Sequence, residues 1–168
     1  ISACLVGSEM CIRDRYNGDI KRKQATMKNK TKAFVFDFDE TLAHTDAVEL
    51  DGTEDRFAEF KDPAGVLDGT PLDLITLAQD VFNEGHSVFI LTARNACVSD
   101  AIATWLSQQG IEAHAIHCVG TDAHMNIAKA KRRVLLSIIE NHDVVWFFDD
   151  DEANIELASE LDCNARKV

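Results

Sequence analysis

The sequence predicts a three-layer α/β/α domain built on a central parallel sheet, and three observations predict it. Apolar runs rich in β-forming residues (Ala33–Phe36, Val88–Leu91 and Val144–Phe148) lack polar alternation, as expected of strands buried on both faces. Segments of helical periodicity separate them, which calls for βαβ crossovers and helices on both sides of the sheet. At 168 residues, with 46% hydrophobic and 27% charged residues, the composition is that of a globular chain able to bury one core.

Taken in order, Leu5–Asp14 resembles a translated library adapter, so residues 1–15 are expected to be foreign to the fold. The acidic Glu9 and Asp14 interrupt any signal-peptide core, and residues 1–26 read as a non-native or disordered extension before a native start at Met27. Residues 27–168 read as a single domain. Ala33–Phe36 is the first strand and ends in Asp37. Residues 42–69 are polar and irregular, and Asp51-Gly52 within Val48–Thr53 signals a small β flap. Thr70-Pro71 reads as an N-cap with proline at the first helical position. Leu72, Ile75, Ala78, Val81 and Phe82 continue that helix, and Gly85 stops it.

Val88–Leu91 is the second strand and leads into Thr92-Ala93-Arg94. A helix capped near Ser99 runs to Gly110, Ile111–Val119 reads as a third strand, and residues 126–141 read as a helix. Val144–Phe148 ends at Asp149-Asp150, a last helix covers Ala153–Leu161, and Ala165–Val168 begins a fifth strand that the sequence leaves short. Trp105 and Trp146 fall on core-facing patterns. The six histidines are scattered without metal-ligand spacing and read mostly as surface groups, and Cys97 reads as a buried or inert thiol rather than a nucleophile.

The formal charge is −12, which disfavours a broad face for nucleic acid. No run approaches the roughly 18 apolar residues of a membrane span. Five cysteines without C-x-x-C spacing fit a reducing, cytoplasmic setting.

In an open α/β sheet the site lies beyond the carboxyl ends of the strands, so the residues leaving each strand carry the functional argument. These are Asp37-Phe38-Asp39-Glu40-Thr41, then Thr92, then Asp149-Asp150. Several carboxylates within a few ångströms repel one another unless a cation lies among them, and all-oxygen ligation suits Mg²⁺. With a hydroxyl and an ammonium opposite, the set suits phosphoryl transfer, in which a carboxylate can act as nucleophile. Lys131 shares a helix stripe with Ile127, Val134, Leu135 and Ile138, whereas Lys129 points to nearly the opposite face, so Lys131 is the expected ammonium.

These four elements, in this order, resemble the motifs of the haloacid-dehalogenase (HAD) superfamily of phosphohydrolases over residues 32–162. The resemblance implies that Asp37 is the nucleophile and a metal ligand. Asp39 would be the general acid and base, with its backbone carbonyl on the metal. Thr92 and Lys131 would hold the phosphoryl oxygens, Thr41 and Arg94 would contact substrate, and Asp149 and Asp150 would complete a magnesium site. A receiver domain uses similar residues in a different chain order, and a P-type pump would carry Thr in place of Asp39. With little chain between Thr41 and Thr92, no large cap is expected, and an open site favours nucleotides or nucleic-acid ends. The spacing is similar to the phosphatase domains of polynucleotide kinase-phosphatases and small phage relatives. The alternatives are a phosphoprotein phosphatase, which the Asp37–Thr45 segment resembles, and a catalytically silent HAD-like binding module.

Overall fold

Five parallel strands build the sheet of this computed structural model, which describes residues 30–45, 59–120 and 126–168. The strands are β1 (Lys32–Phe36), β4 (Ser87–Asn95), β5 (Ala115–Gly120), β6 (Asp143–Asp149) and β7 (Ala165–Lys167), in the order β5-β4-β1-β6-β7. A second, antiparallel pair joins β2 (Ala43–His44) to β3 (Thr70–Pro71). The helices are α1 (Pro63–Leu67), α2 (Leu74–Asn83), α3 (Ser99–Gln108), α4 (Ile127–Asn141) and α5 (Glu152–Ser159).

Burial sorts the helices onto the two faces. Val66 of α1, Ile75, Ala78 and Val81 of α2, and Ile102, Trp105 and Leu106 of α3 pack with Phe36, Ile90 and Phe148 on one face. Leu135 and Ile138 of α4 and Ala158 of α5 pack with Val35, Phe89, Leu91 and Phe147 on the other. Strands β1 and β4 read as unbroken apolar runs because each buries both of its faces. Across β1 and β6, Phe36 and Phe148 stack with centroids 5.1 Å apart. Helices α2 and α3 end at Gly85 and Gly110, each at positive φ.

Several expectations are corrected. Thr70-Pro71 is not a helix start: it is β3, paired with Ala43–His44, and Leu72 N donates to Leu42 O at 2.9 Å. Helix α2 begins instead at Leu74, with Asp73 as its N-cap residue. The cap-plus-proline signature belongs to Asp62-Pro63, where Asp62 accepts from Ala64 N and Gly65 N and opens α1. This helix has only five residues, too few to show a period.

The third strand begins at Ala115 rather than Ile111, which is a buried residue of the preceding connection. Trp105 is buried, but Trp146 is 38% exposed. The β1–β6 register shifts between Ala33 and Phe34, so Val144 pairs with Ala33 and Trp146 with Phe34, and the alternation slips by one residue. Trp146 then sits at the rim, since α2 packs against β4 and α3 against β5. Cys97 is exposed, not buried. His114, His117 and His142 are not scattered: they surround Phe89 with ring centroids 4.8, 6.2 and 4.9 Å away. The expected flap at Val48–Thr53 and the extension over residues 1–26 lie outside the described residues.

Candidate active site

Strands β1 and β6 are neighbours, and they lie where the chain reverses its direction of travel across the sheet. Their carboxyl ends therefore open into one crevice. Asp37 leaves β1, its backbone N donates to Phe148 O at 2.9 Å, and Asp149 is the last residue of β6. Asp37, Asp149 and Asp150 each place a carboxylate oxygen within 4.8 Å of the others. Lys131 reaches them from α4. Its Nζ lies 2.7 Å from Asp37 Oδ2 and 2.8 Å from Asp149 Oδ2, and all three side chains are buried. Lys129 is exposed on the other side of the helix.

One ammonium between two carboxylates leaves a net negative charge out of water. Burial, opposed by Lys131 and reinforced by Asp149, pushes the Asp37 carboxyl up to about 7. Burial lowers Lys131, but Asp37 and Asp149 outweigh it and hold the amine above its ordinary value. Asp150 is raised by burial and by Asp149. A small divalent cation would relieve this excess charge, and the donor set is all oxygen, so the residues present fit Mg²⁺.

The remaining carboxylate oxygens are tied down. Asp37 Oδ1 accepts from Phe38 N at 2.8 Å. Asp149 Oδ1 accepts from Asp151 N at 3.0 Å and from the amide of buried Asn154 at 2.8 Å. Rotation of either side chain would break these bonds, so the acids are oriented before any ligand arrives.

Asp39 stands apart from the three-acid group and faces Arg94 and Thr45. Arg94 Nε donates to Asp39 Oδ1 and Oδ2 at 2.9 and 3.0 Å, Nη2 donates to Oδ1 at 2.7 Å, and Thr45 Oγ1 donates to Oδ1 at 2.8 Å. Arg94 is only 4% exposed, so it is not a surface charge. Its orientation follows from an extra residue in β4: Thr92 pairs with Cys118 but Asn95 pairs with Gly120. Such a bulge turns a side chain that regular alternation would point elsewhere. Thr92 accepts from Arg94 N through its hydroxyl at 3.2 Å, which leaves the hydroxyl proton to donate. Thr92 lies inside β4, and Asn95 caps the turn that follows the strand.

The loop after β1 is a tight turn, with Leu42 N and Ala43 N both donating to Phe38 O at 2.9 and 3.0 Å. Glu40 occupies left-handed backbone at φ 53, a conformation for which glycine is better suited. Thr41 is buried and its Oγ1 has no protein partner among the described residues.

Sequence reasoning missed the grip of Arg94 on Asp39, whereas Asn154, which closes the Asp149-Asp150-x-x-x-Asn154 pattern and reads from sequence as structural rather than catalytic, holds Asp149.

No family model and no curated protein matches the sequence. Among solved structures, the chain is similar to one from the Pnkp1/Rnl/Hen1 RNA repair complex, with a TM-score of 0.66 and 17% identity over 83% of this chain and 42% of that one. It is also similar to a HAD family enzyme from Bacteroides thetaiotaomicron solved with magnesium (TM-score 0.54, 14% identity, 83% and 94% of the two chains). A haloacid dehalogenase-like hydrolase from Streptococcus pneumoniae gives a TM-score of 0.52 at 14% identity, over 83% and 84%. The chain spans less than half the length of the two RNA-repair-complex chains it matches, 42% and 46%. The likeness is one of architecture: the protein has the HAD-like fold.

Proposed function

We propose that the protein is a magnesium-dependent phosphomonoester hydrolase working through an aspartyl-phosphate on Asp37. The observation that carries this reading is the single buried Lys131 ammonium shared by Asp37 and Asp149, with Asp150 beside them, at the ends of adjacent strands. Asp37, Asp149 and Asp150 would hold Mg²⁺, together with the backbone carbonyl of Asp39. When bound, the ion neutralises charge on the phosphoryl oxygens and on the carboxylates that hold it.

The chain's own residues carry the proton and bond changes. One oxygen of the Asp37 carboxylate attacks phosphorus, and the ester P–O bond breaks as Asp39 delivers a proton to the leaving oxygen. Water then attacks the phosphorus of the aspartyl-phosphate, Asp39 takes its proton, and phosphate leaves with Asp37 restored. Thr92 and Lys131 hold the phosphoryl oxygens, with Thr41 beneath them. Arg94 fixes Asp39 beside the bound phosphate, and Asp39 releases it on swinging toward the leaving group.

The short chain between Thr41 and Thr92, whose described residues form the β2–β3 ladder, a 3-10 turn at Glu59–Lys61, α1 and α2, supports a bulky substrate. A nucleic-acid end or a nucleotide is the substrate class we favour, in keeping with the similarity to a chain of an RNA repair complex. The first test is release of p-nitrophenol from p-nitrophenyl phosphate with and without Mg²⁺, using wild type and Asp37→Asn. Equal, negligible release in every tube rejects an enzymatic reading. A panel of 3′- and 5′-phosphorylated oligonucleotides, mononucleotides, phosphopeptides and sugar phosphates then ranks the substrates. A phosphopeptide preference would favour phosphoprotein phosphatase activity.

A further inference from the structure

We infer that the pocket between α4 and the edge strand β5 is a second binding site, one that takes a planar aromatic carboxylate. It is separate from the acidic crevice and does not depend on the reading above.

The sheet ends at β5, and α4 packs against both β4 and β5 on the face that carries Lys131. The pocket there measures about 580 Å³, the size of an ordinary small-molecule site. It lies toward the amino ends of the strands, where Phe89 pairs with Ala115, three residues before the Thr92–Cys118 pair. The acidic crevice lies beyond the opposite ends.

The inner wall is made of rings. The Phe89 centroid is 4.8 Å from that of His114, 4.9 Å from His142 and 6.2 Å from His117, whose ring lies within 8° of parallel. Such a surface of ring faces and edges suits a flat aromatic ligand. Three histidines could suggest a metal instead. Among the described residues, however, Asp37, Asp149 and Asp150 are the group whose ligand atoms gather within 4.8 Å, and these imidazoles do not.

The mouth is polar and carries one sign of charge. Arg133 and Ser137 are exposed and one helical turn apart on α4, so they stand side by side there. Acidic residues outnumber basic ones 29 to 17 in the chain, yet no acidic side chain lines this pocket among the described residues. Arg132 meets Glu160, whereas Arg133 has no carboxylate partner among the described residues. A guanidinium fork matches a carboxylate through two parallel hydrogen bonds. Burial lowers His117 from its ordinary value and favours its neutral form, so it adds a ring rather than a second fixed charge. One fixed positive charge suits a monoanion better than a phosphate dianion.

The experiment titrates the full chain with 2-naphthoate in EDTA, which prevents the carboxylate from binding through a metal at the acidic crevice. Calorimetry should give one molecule per chain and a dissociation constant of about 1 mM or tighter. Naphthalene-2-methanol, which lacks the charge, and cyclohexanecarboxylate, which lacks the flat ring, should each bind about tenfold more weakly. Arg133→Gln should lower 2-naphthoate affinity by about tenfold and leave the unfolding midpoint close to wild type. In imidazole proton–carbon NMR spectra of wild type, His114, His117 and His142 should move on titration while His44, beside Glu40, stays put. No binding at several times that concentration, equal affinity in Arg133→Gln, equal binding of the neutral alcohol, or movement confined to histidines outside the pocket overturns the inference. Tighter binding of 2-naphthyl phosphate than of 2-naphthoate overturns it too. The NMR titration of wild type decides it if the variant does not fold.

Discussion

Lys131 Nζ stands 2.7 Å from Asp37 Oδ2 and 2.8 Å from Asp149 Oδ2, so one side chain ties together the ends of two adjacent strands. Its partners would repel each other without it. Lys131→Met should therefore cost about 3 kcal/mol in the metal-free protein, as expected when one member of a buried ion cluster is removed. Mg²⁺ should restore part of that loss, while hydrolysis falls at least a hundredfold. Lys129→Met, on the exposed face, should change neither stability nor turnover more than twofold. Urea unfolding with EDTA or Mg²⁺, run beside a phosphatase assay, checks both variants. Equal effects of the two substitutions would refute the assignment.

The Asp37 carboxyl, pushed up to about 7 from 3.8, makes metal-free stability depend on pH. Between these values the folded protein holds a proton that the unfolded chain has released. This contribution is therefore complete below the unfolded value and is lost as pH rises through the folded one. In EDTA, wild type should lose stability from pH 4 to pH 7 relative to Asp37→Asn, which has no proton to release. Asp150, also raised, adds to the trend. Mg²⁺ competes with that proton, so the rise in melting temperature it produces should be larger at pH 8 than at pH 6. A wild-type-minus-variant difference that stays flat with pH would contradict this.

Arg94 binds Asp39 through both Nε and Nη2 from a fully enclosed position. A lysine offers one point of attachment and cannot reproduce that fork. Arg94→Lys should lower kcat by about a hundredfold, the scale of losing a well-placed general acid or base. KM should change far less, because the defect lies in Asp39 rather than in binding. Steady-state kinetics beside Asp39→Asn provide the check, and the double variant should be no worse than Asp39→Asn alone. Additive losses would show that Arg94 acts independently of Asp39.

A Cβ at Gly120 would overlap the Ala93 carbonyl oxygen and crowd the Arg94 backbone. The bulge that aims Arg94 can form only because this position of β5 has no side chain. Gly120→Ala should thus cost about 1–3 kcal/mol, as other overpacked sites do, and should impair turnover in the manner of Arg94→Lys. Thermal unfolding and kcat would be measured together. Wild-type behaviour in both would mean the bulge does not depend on Gly120.

The parts of the fold that could be read from residues alone are those in which one physical demand dominates. Apolar runs that end abruptly in Asp37 or Asp149 read as buried strands delivering acids to one crevice, and the phase of α4 placed Lys131 inside and Lys129 outside. The rest depended on competition between local and distant preferences. Thr70-Pro71 has the chemistry of a helix start, but pairing with Ala43–His44 prevails. Trp146 and Arg94 follow strand alternation in sequence, and a one-residue register shift in β6 and another in β4 redirect them. Nothing within four or five residues of a bulge announces it, because its cause is the neighbouring strand.

The ladder of Ala43–His44 with Thr70–Pro71 brings both ends of residues 45–69 to one spot beside the turn that carries Asp39 and Thr41. Lengthening a loop whose ends are already clamped costs little, roughly 0.6 kcal/mol per doubling. Within it Thr45 bonds Asp39 and Val66 packs in the core, so an exchange that keeps these anchors leaves the sheet beneath undisturbed. New selectivity can be grafted there while the reacting groups stay put.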